Sequence, residues 1–183
     1  MRDNAKRYDY KVSVHRNNGF IIFLNTVIYG VAKLKIKRIG LVDCERIGSS
    51  DIKYIYSKRI IDIMVSGENV DISAIASLLL KRFPRSREID LGSEMPDRKM
   101  IRVYSLFRSI PRMHIHIVEW EYWCKSRERK FHRLLQNDLS AALQYSSYKK
   151  KLIDEGILNP QKYGELKDVY IRQIEQETEV TNE

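Results

Sequence analysis

Asp62 is the residue whose surroundings point most directly to chemistry. It lies in the middle of residues 60–65, an otherwise apolar run of strand length. A carboxylate is rarely buried in a strand unless a metal ion, a cation or a substrate balances its charge. In a strand, residues 62 and 64 point to one face and residues 61, 63 and 65 to the other. The sequence therefore predicts that Asp62 faces a charged partner.

Two histidines occupy alternate positions of a second predicted strand, residues 113–119. His114 and His116 share one face of this strand, while Ile115 and Ile117 point to the other. If the histidine face adjoins Asp62, the three side chains supply the ligand types for a transition metal, or for a metal together with a general base. The alternative is that both histidines are hydrogen-bonded at a strand edge and inert.

A turn at Gly48 and Ser49 is predicted to open a short helix over residues 52–56, with Ser50 as a capping residue. Backbone amides at the start of a helix, together with the positive end of its dipole, can hold a phosphate group. Basic residues add phosphate-binding capacity at four further positions, Lys58, Arg98, Arg102 and Arg112. The alternative for each of the four is a solvated surface charge.

Apolar periodicity predicts the elements that must position these residues. Strands are predicted over residues 38–47, 60–65, 99–107 and 113–119, and helices over 20–36, 71–83 and, with interruptions, 126–174. The short connection before the histidine strand predicts antiparallel pairing with the strand before it. The helix over 20–36 is expected to pack in the core, because its apolar residues recur at three- and four-residue spacing: Phe20, Phe23, Leu24, Val27, Ile28, Val31 and Leu34. The alternative is a helix on a membrane surface; core packing is favoured because the basic residues sit at the C-terminal end, where they also satisfy the helix dipole.

Two groups of side chains admit both a structural and a functional interpretation. Trp120, Tyr122 and Trp123 are predicted to pack at a strand-to-helix corner, with stacking against a nucleotide base as the alternative. The basic stretches over residues 125–130 and 149–151 are predicted to be solvated faces of helices.

Composition is typical of one globular domain over residues 1–183, with frayed or disordered ends at residues 1–9 and 175–183. The net charge of +9 favours anionic partners such as nucleotides or nucleic acid; the alternative is a merely soluble basic protein. Two cysteines do not make a disulfide framework. No apolar run approaches the roughly 20 residues of a membrane span, and the charged N-terminus lacks a signal-peptide core. We therefore expect a cytoplasmic protein without a membrane partner.

These residues together resemble the signature of the GrpB family. That signature reads I-G-S-T, a short segment with a P-G turn, and then K-P-I-I-D-I; residues 47–50 and 58–63 correspond to it. The stretch M-H-I-H-I-V-E over residues 113–119 is similar to the family's H-H-L-H-V-V-E, and residues 145–149 and 163–167 echo its Y-x-x-L-K and Y-x-x-x-K motifs. The chain departs from the family where Lys53-Tyr54 replaces the P-G turn, and it lacks the P-Y-x-P-x-W motif.

The GrpB family belongs to the nucleotidyltransferase-fold superfamily, which sets the expected fold and activity. The resemblance implies an α/β (α+β) fold with a small mixed sheet, flanking helices and a C-terminal helical layer. It also implies metal-dependent transfer of a nucleotidyl group from a nucleoside triphosphate to an acceptor that the sequence does not name. The acceptor types are a hydroxyl, a phosphate or a protein side chain, in a nucleic acid or a protein partner.

The same resemblance assigns roles to the candidate site residues. Asp62, His114 and His116 would be the catalytic and metal-binding residues, with Mg²⁺ or Mn²⁺ as the cofactor and Zn²⁺ as an alternative. The superfamily pattern D-h-[DE] places a second carboxylate at position 64, where this chain has Met64. A weakened metal site or unusual chemistry is implied. The alternative function is a non-catalytic basic module with the same fold that binds nucleic acid or a protein partner.

Overall fold

The computed structural model describes residues 11–40, 42–91, 97–104 and 111–180. The expectations for residues 1–9 and 181–183, and for the end of the predicted strand at 105–107, lie outside the described residues. Helices are α1 (Gly19–Lys37), α2 (Ile72–Arg82), α3 (Trp120–Lys125), α4 (Arg127–Asn137), α5 (Leu139–Asp154) and α6 (Pro160–Val180). Strands are β1 (His15–Arg16), β2 (Asp43–Ile47), β3 (Tyr56–Ser57), β4 (Ile61–Ser66), β5 (Ser86–Ile89), β6 (Arg98–Tyr104) and β7 (Pro111–Val118).

The central sheet is mixed and has five strands in the order β2-β4-β7-β6-β5. Strand β4 runs parallel to β7, and the other neighbouring pairs are antiparallel. The predicted antiparallel pairing of the histidine strand with the strand before it is therefore confirmed. Strands β1 and β3 form a separate two-stranded pair.

The two faces of the sheet have different roles, as strand parity predicts. On one face, Ile61, Ile63 and Val65 of β4 pack with Ile115 and Ile117 of β7 beneath α1 and α2. The opposite face carries the side chains of positions 62, 64, 114 and 116 and is overlaid by the C-terminal helices. The predicted α/β class with a small mixed sheet, flanking helices and a C-terminal helical layer is confirmed.

Helix α1 forms where it was predicted, but its burial is different. Its buried residues are Asn25, Ala32 and Ile36, whereas six of the seven apolar residues expected in the core are largely exposed: Phe20, Phe23, Leu24, Val27, Val31 and Leu34. The first two thirds of α1 are apolar all round, and in such a helix periodicity does not decide which side meets the sheet. The core-facing stripe was thus assigned to the wrong side. Within the described part of the chain, α1 also has the length and composition of a membrane span, with a mean hydropathy of 1.5.

The short helix predicted over residues 52–56 is absent, because the segment forms turns and the strand β3. Side-chain amides occupy carbonyls that a helix would need: Asn17 Nδ2 donates to the carbonyl oxygens of Ser49 and Ile52, each at 3.0 Å. Tyr54 adopts a left-handed conformation with φ 65°. This competition between local side chains and the helix ladder is invisible to apolar periodicity.

Other boundaries differ by a few residues from those predicted. The first core strand begins at Asp43 rather than at residue 38, because α1 continues to Lys37 and Gly40 turns the chain with φ 80°. Helix α2 has the predicted cap, in which Asp71 Oδ2 accepts a hydrogen bond from the Ala74 amide. Helix α6 continues through Val180, so residues 175–180 are helical where a frayed tail was expected.

Candidate metal and phosphate site

Asp62 and the two histidines come together on the sheet face beneath the C-terminal helices. Strand register places Asp62 directly opposite His114, and Met64 opposite His116. The Oδ1 atom of Asp62 lies 3.2 Å from His114 Nδ1 and 3.5 Å from His116 Nε2. Each of the three side chains offers a ligand atom within 4.8 Å of the others. The clustering expected from parity is therefore present in the structure.

Burial and hydrogen bonding set the charges of this cluster. Burial lowers the pKa of His114, against the opposing effect of Asp62. Burial alone would raise the pKa of Asp62, but the hydrogen bonds from His114 and His116 outweigh it and hold that pKa well below its usual value. Asp62 is thus a carboxylate beside a neutral His114 at neutral pH. The His114 Nε2 atom is buried and has no hydrogen-bond partner within the described residues.

The donor set fits a divalent transition metal better than Mg²⁺. One carboxylate oxygen and two imidazole nitrogens suit Mn²⁺ or Zn²⁺, whereas Mg²⁺ prefers oxygen ligands throughout. Neutral imidazole is also the form that ligates a metal. The unpartnered Nε2 atom of the buried His114 is the kind of orphaned polar atom that a ligand would satisfy.

Met64 does not contribute to this cluster. Its side chain is 1% exposed and packs with Ile47, Val118 and Trp123 in a small apolar cluster beside the site. A thioether is a poor ligand for a hard divalent cation. The position where the superfamily pattern expects a second carboxylate is therefore part of the core.

Gly48 approaches Asp62 more closely than any other residue type would allow. Its φ angle is 80°, and an added Cβ atom would lie 2.8 Å from Asp62 Oδ2. A left-handed residue at this distance from a carboxylate is accommodated only by glycine. The close approach explains why the turn needs Gly48 in front of the Asp62 strand.

The turn that follows Gly48 is held by polar contacts from two elements, β2 and α4. His132 of α4 contacts the Gly48 carbonyl oxygen through Nδ1 at 2.6 Å, and its Nε2 lies 3.5 Å from Asp51 Oδ2. Arg46 donates from Nη2 to Ser50 Oγ at 3.0 Å. These contacts fix the backbone of the Gly-Ser turn relative to the sheet.

Lysines from the C-terminal helices and from the start of β4 meet at this turn. Lys149 of α5 is 2% exposed and donates from Nζ to Ser49 Oγ at 2.8 Å. Burial lowers the pKa of Lys149 well below its usual value, and the nearby charges of Lys167 and Lys58 add to the effect. Burial likewise lowers the pKa of Lys58 to about 8, with a further contribution from Lys167. Three cations that repel one another form a site suited to a polyanion.

Asp62, His114 and His116 share one cavity of about 370 Å³ with Lys58 and Lys167, between the sheet and the C-terminal helices. Seven of the residues expected in the site line it: Gly48, Lys58, Asp62, Arg98, Arg102, His114 and His116. Ser49 and Ser50 line an adjoining pocket of about 50 Å³, together with Lys149 and Lys167.

Arg112, by contrast, does not line either space. Its guanidinium donates to the Arg59 carbonyl oxygen and to Asn25 Oδ1 on α1. The structure therefore places Arg112 outside the cavity in which we expected it.

Three residues of the site were not predicted from the sequence. Lys149 was assigned to a solvated helix face, Lys167 was noted only as part of a family motif, and His132 was not considered. The Y-x-x-x-K spacing of residues 145–149 and 163–167 was a usable signal, since it places each lysine one helical turn after a tyrosine that the core buries. Tyr122 also lines the cavity, with the Arg98 guanidinium 4.4 Å from its ring centroid. Trp120 and Trp123 instead stack on each other in the apolar cluster, in agreement with the predicted packing at a strand-to-helix corner.

Comparison with protein families assigns the chain. The family model described as GrpB protein matches residues 27–177. The chain belongs to the GrpB family. The match includes the Gly-Ser turn, the Asp62 strand, the histidine strand and both lysine-bearing helices, so it spans the segments on which the sequence resemblance rested.

One solved structure, a GrpB protein, agrees with the GrpB assignment at the level of fold. The crystal structure of conserved protein GrpB from Enterococcus faecalis is 24% identical, covers 90% of this chain and 96% of its own, and superposes with a TM-score of 0.69. Cid1 in complex with the UTP analog UMPNPP is 12% identical, over 79% of this chain and 44% of its own, with a TM-score of 0.49. The search of curated proteins found no match to this chain.

Proposed function

We propose that the chain is a single-domain nucleotidyltransferase that transfers a nucleotidyl group from a nucleoside triphosphate to an acceptor. One observation carries the proposal: the cluster of Asp62, His114 and His116 opens into the same cavity as Lys58 and Lys167. A triphosphate in this cavity would meet the candidate metal ligands and the lysines together. The GrpB family belongs to the nucleotidyltransferase-fold superfamily, and this membership supports the proposed reaction class.

Asp62, His114 and His116 would hold one divalent ion, Mn²⁺ or Zn²⁺ in preference to Mg²⁺. A divalent ion held there would supply positive charge that offsets the charge developing on the departing pyrophosphate. The acceptor oxygen attacks the α-phosphorus, the bond from that phosphorus to its bridging oxygen breaks, and pyrophosphate leaves. In the alternative arrangement, Asp62 and His114 would hold the ion, and His116, which is less buried than His114 and lines the cavity, would take the acceptor proton as the general base.

The lysines would bind the part of the triphosphate that becomes pyrophosphate. Lys149 already donates to Ser49 Oγ, so it orients the Gly-Ser turn while it adds positive charge beside it. The charge of Lys167 lowers the pKa of Lys58, and a bound polyphosphate would relieve that repulsion. Arg98 and Arg102 line the same cavity and can fork phosphate oxygens.

The test is release of pyrophosphate from a nucleoside triphosphate with Mn²⁺, Zn²⁺ or Mg²⁺, with label on the α-phosphate to follow the nucleotidyl group. We expect label on an acceptor, either the protein itself or added RNA, and none with Asp62→Asn. Asp154→Asn is the matched control, because Asp154 is exposed and pairs only along its own helix with Lys150. Equal transfer by wild type and Asp62→Asn would contradict the assignment.

The buried Met64 supports a second candidate function. A domain with one carboxylate in its metal site binds a nucleotide or a nucleic acid without the ligands of a two-metal reaction. For that non-catalytic module we expect metal-dependent nucleotide binding and no release of pyrophosphate. Binding to RNA or DNA would then fall steeply between low and moderate salt, since counterion release dominates such contacts.

A further inference from the structure

The exposed side of helix α1 carries a continuous apolar stripe. Its members are large side chains that recur at three- and four-residue spacing: Phe20, Phe23, Leu24, Val27, Val31 and Leu34. Phe20 is 72% exposed, Phe23 66% and Leu34 64%. With a rise of about 1.5 Å per residue, the stripe is roughly 21 Å long. Exposed apolar surface of this continuity marks an interaction site.

The opposite side of α1 is occupied by the protein itself. Ala32 and Ile36 belong to the core above the sheet, and the Asn25 side chain donates to the Ser50 carbonyl oxygen. A helix with one side fixed in this way cannot be surrounded by lipid, although its length and composition would allow it to span a membrane. The helix can, however, lie in the plane of a membrane surface with its stripe facing the acyl chains.

Basic residues gather at one end of the stripe. Lys33, Lys35, Lys37 and Arg38 are exposed at the end of α1, and α1 itself contains no acidic residue. The end of α2 adds Lys81 and Arg82, and Arg82 Nη2 donates to the Arg38 carbonyl oxygen at 3.4 Å. Of this group, Lys37 contacts Asp43. An apolar stripe bordered by cations is complementary to a surface of anionic headgroups above acyl chains.

We propose that α1 docks the protein on an anionic membrane surface, with the apolar stripe inserted and the basic ends of α1 and α2 at the headgroups. A second copy of the chain is a less suitable partner for the apolar stripe. The stripe covers roughly 210 Å², from its length and a helix width of about 10 Å, whereas a standard interface takes about 800 Å² from each partner. Nucleic acid would use the basic ends but not the stripe.

Docking through α1 leaves the candidate active site free. Helices α1 and α2 cover the sheet face formed by Ile61, Ile63 and Val65, and the cavity lies on the opposite face with Asp62. The cavity therefore faces away from the membrane in this arrangement. The proposal does not depend on whether the chain transfers nucleotides.

The test is co-sedimentation of the full chain with phosphatidylcholine vesicles that contain or lack phosphatidylglycerol. We expect binding to the anionic vesicles, and a loss of at least about tenfold in affinity for Phe20→Gln/Phe23→Gln, since two large apolar side chains no longer insert. Leu139→Gln/Leu143→Gln is the matched control, because these leucines are exposed on α5, outside the stripe. Lys33→Gln/Lys35→Gln should reduce the difference between anionic and neutral vesicles.

The folded state of every variant is checked by its circular dichroism and thermal midpoint, which exposed substitutions should leave unchanged. Failure of the wild type to bind anionic vesicles overturns the proposal. So does equal binding by wild type and the phenylalanine variant, since basic residues alone would then account for it. A wild-type dimer that ignores vesicles and dissociates in the phenylalanine variant would assign the stripe to a second copy.

Discussion

At the scale of single residues, the site depends on how closely the Gly48 turn approaches Asp62. Two physical terms act at Gly48: its left-handed φ angle and the space taken by the Asp62 carboxylate. Gly40 has the same φ of 80° but open space around the position of a Cβ. A comparison of alanine substitutions at Gly48 and Gly40 therefore separates two free-energy costs. One is the cost of a left-handed backbone with a side chain, and the other is the cost of a collision with Asp62.

We predict that Gly48→Ala destabilises the fold and displaces Asp62, whereas Gly40→Ala only destabilises it. The backbone cost at both positions is about 1–2 kcal/mol. The displaced carboxylate should lower the affinity for Mn²⁺ by more than about tenfold in Gly48→Ala alone. Urea unfolding and metal titration of both variants make the comparison. Unchanged metal affinity in Gly48→Ala would mean that the carboxylate position does not matter.

Lys58 provides a prediction about pH. Its pKa is about 8 in the folded state and 10.5 in an exposed lysine, so between these values the unfolded chain binds more protons than the folded one. The contribution of Lys58 to the free energy of unfolding therefore rises as pH increases from about 8 to about 10.5. Below pH 8 both states are protonated, and the folded state bears the cost of a desolvated charge.

The variant Lys58→Met lacks this titration. We expect wild type to gain stability relative to Lys58→Met between about pH 7.5 and pH 9.5, as measured by urea unfolding at each pH. Lys53→Met is the control, because Lys53 is exposed in the same segment. A difference between wild type and Lys58→Met that stays constant over this pH range would show that the Lys58 charge is not desolvated.

At the scale of elements, the segment between β2 and β4 shows a structure that apolar spacing does not predict. Apolar spacing predicted a helix, but hydrogen bonds from Asn17 and Asn25, distant in the sequence, stabilise turns instead. The strands were easier to predict, since the two-residue period of a strand fixes which side chains of residues 60–65 and 113–119 share a face. Their parallel register, which sets Asp62 against His114, follows from the whole sheet and not from either strand.

Tyr54 adds a prediction for this segment. It occupies a left-handed conformation at the position where GrpB proteins have the glycine of a P-G turn. Tyr54→Gly should raise the free energy of unfolding by up to about 1 kcal/mol, because glycine adopts this φ without strain. Tyr54→Ala is the control: it removes the same ring but keeps the strained backbone, so it should give no increase. An equal increase in both would assign the effect to the exposed ring.

At the scale of the whole molecule, the sheet separates two surfaces with different chemistry. One face supports α1 and its exposed apolar stripe, and the other forms the cavity with the metal cluster and the lysines. The sequence predicted Asp62, the histidines and Lys58, because each breaks a local pattern or resembles a GrpB motif. It did not predict Lys149, whose amine meets Ser49 only through the packing of α5, or the exposed side of α1, since apolar residues surround much of that helix.

The central claim is that one divalent ion, held by Asp62 and the histidines, couples this cavity to a nucleoside triphosphate. The most direct test is the shift in thermal midpoint that ATP produces with and without Mn²⁺, in wild type and in Asp62→Asn. We predict a shift in wild type only when Mn²⁺ is present, and no metal-dependent shift in Asp62→Asn, which folds normally because its amide is isosteric with the carboxylate. An equal Mn²⁺-dependent shift in both proteins would contradict the account.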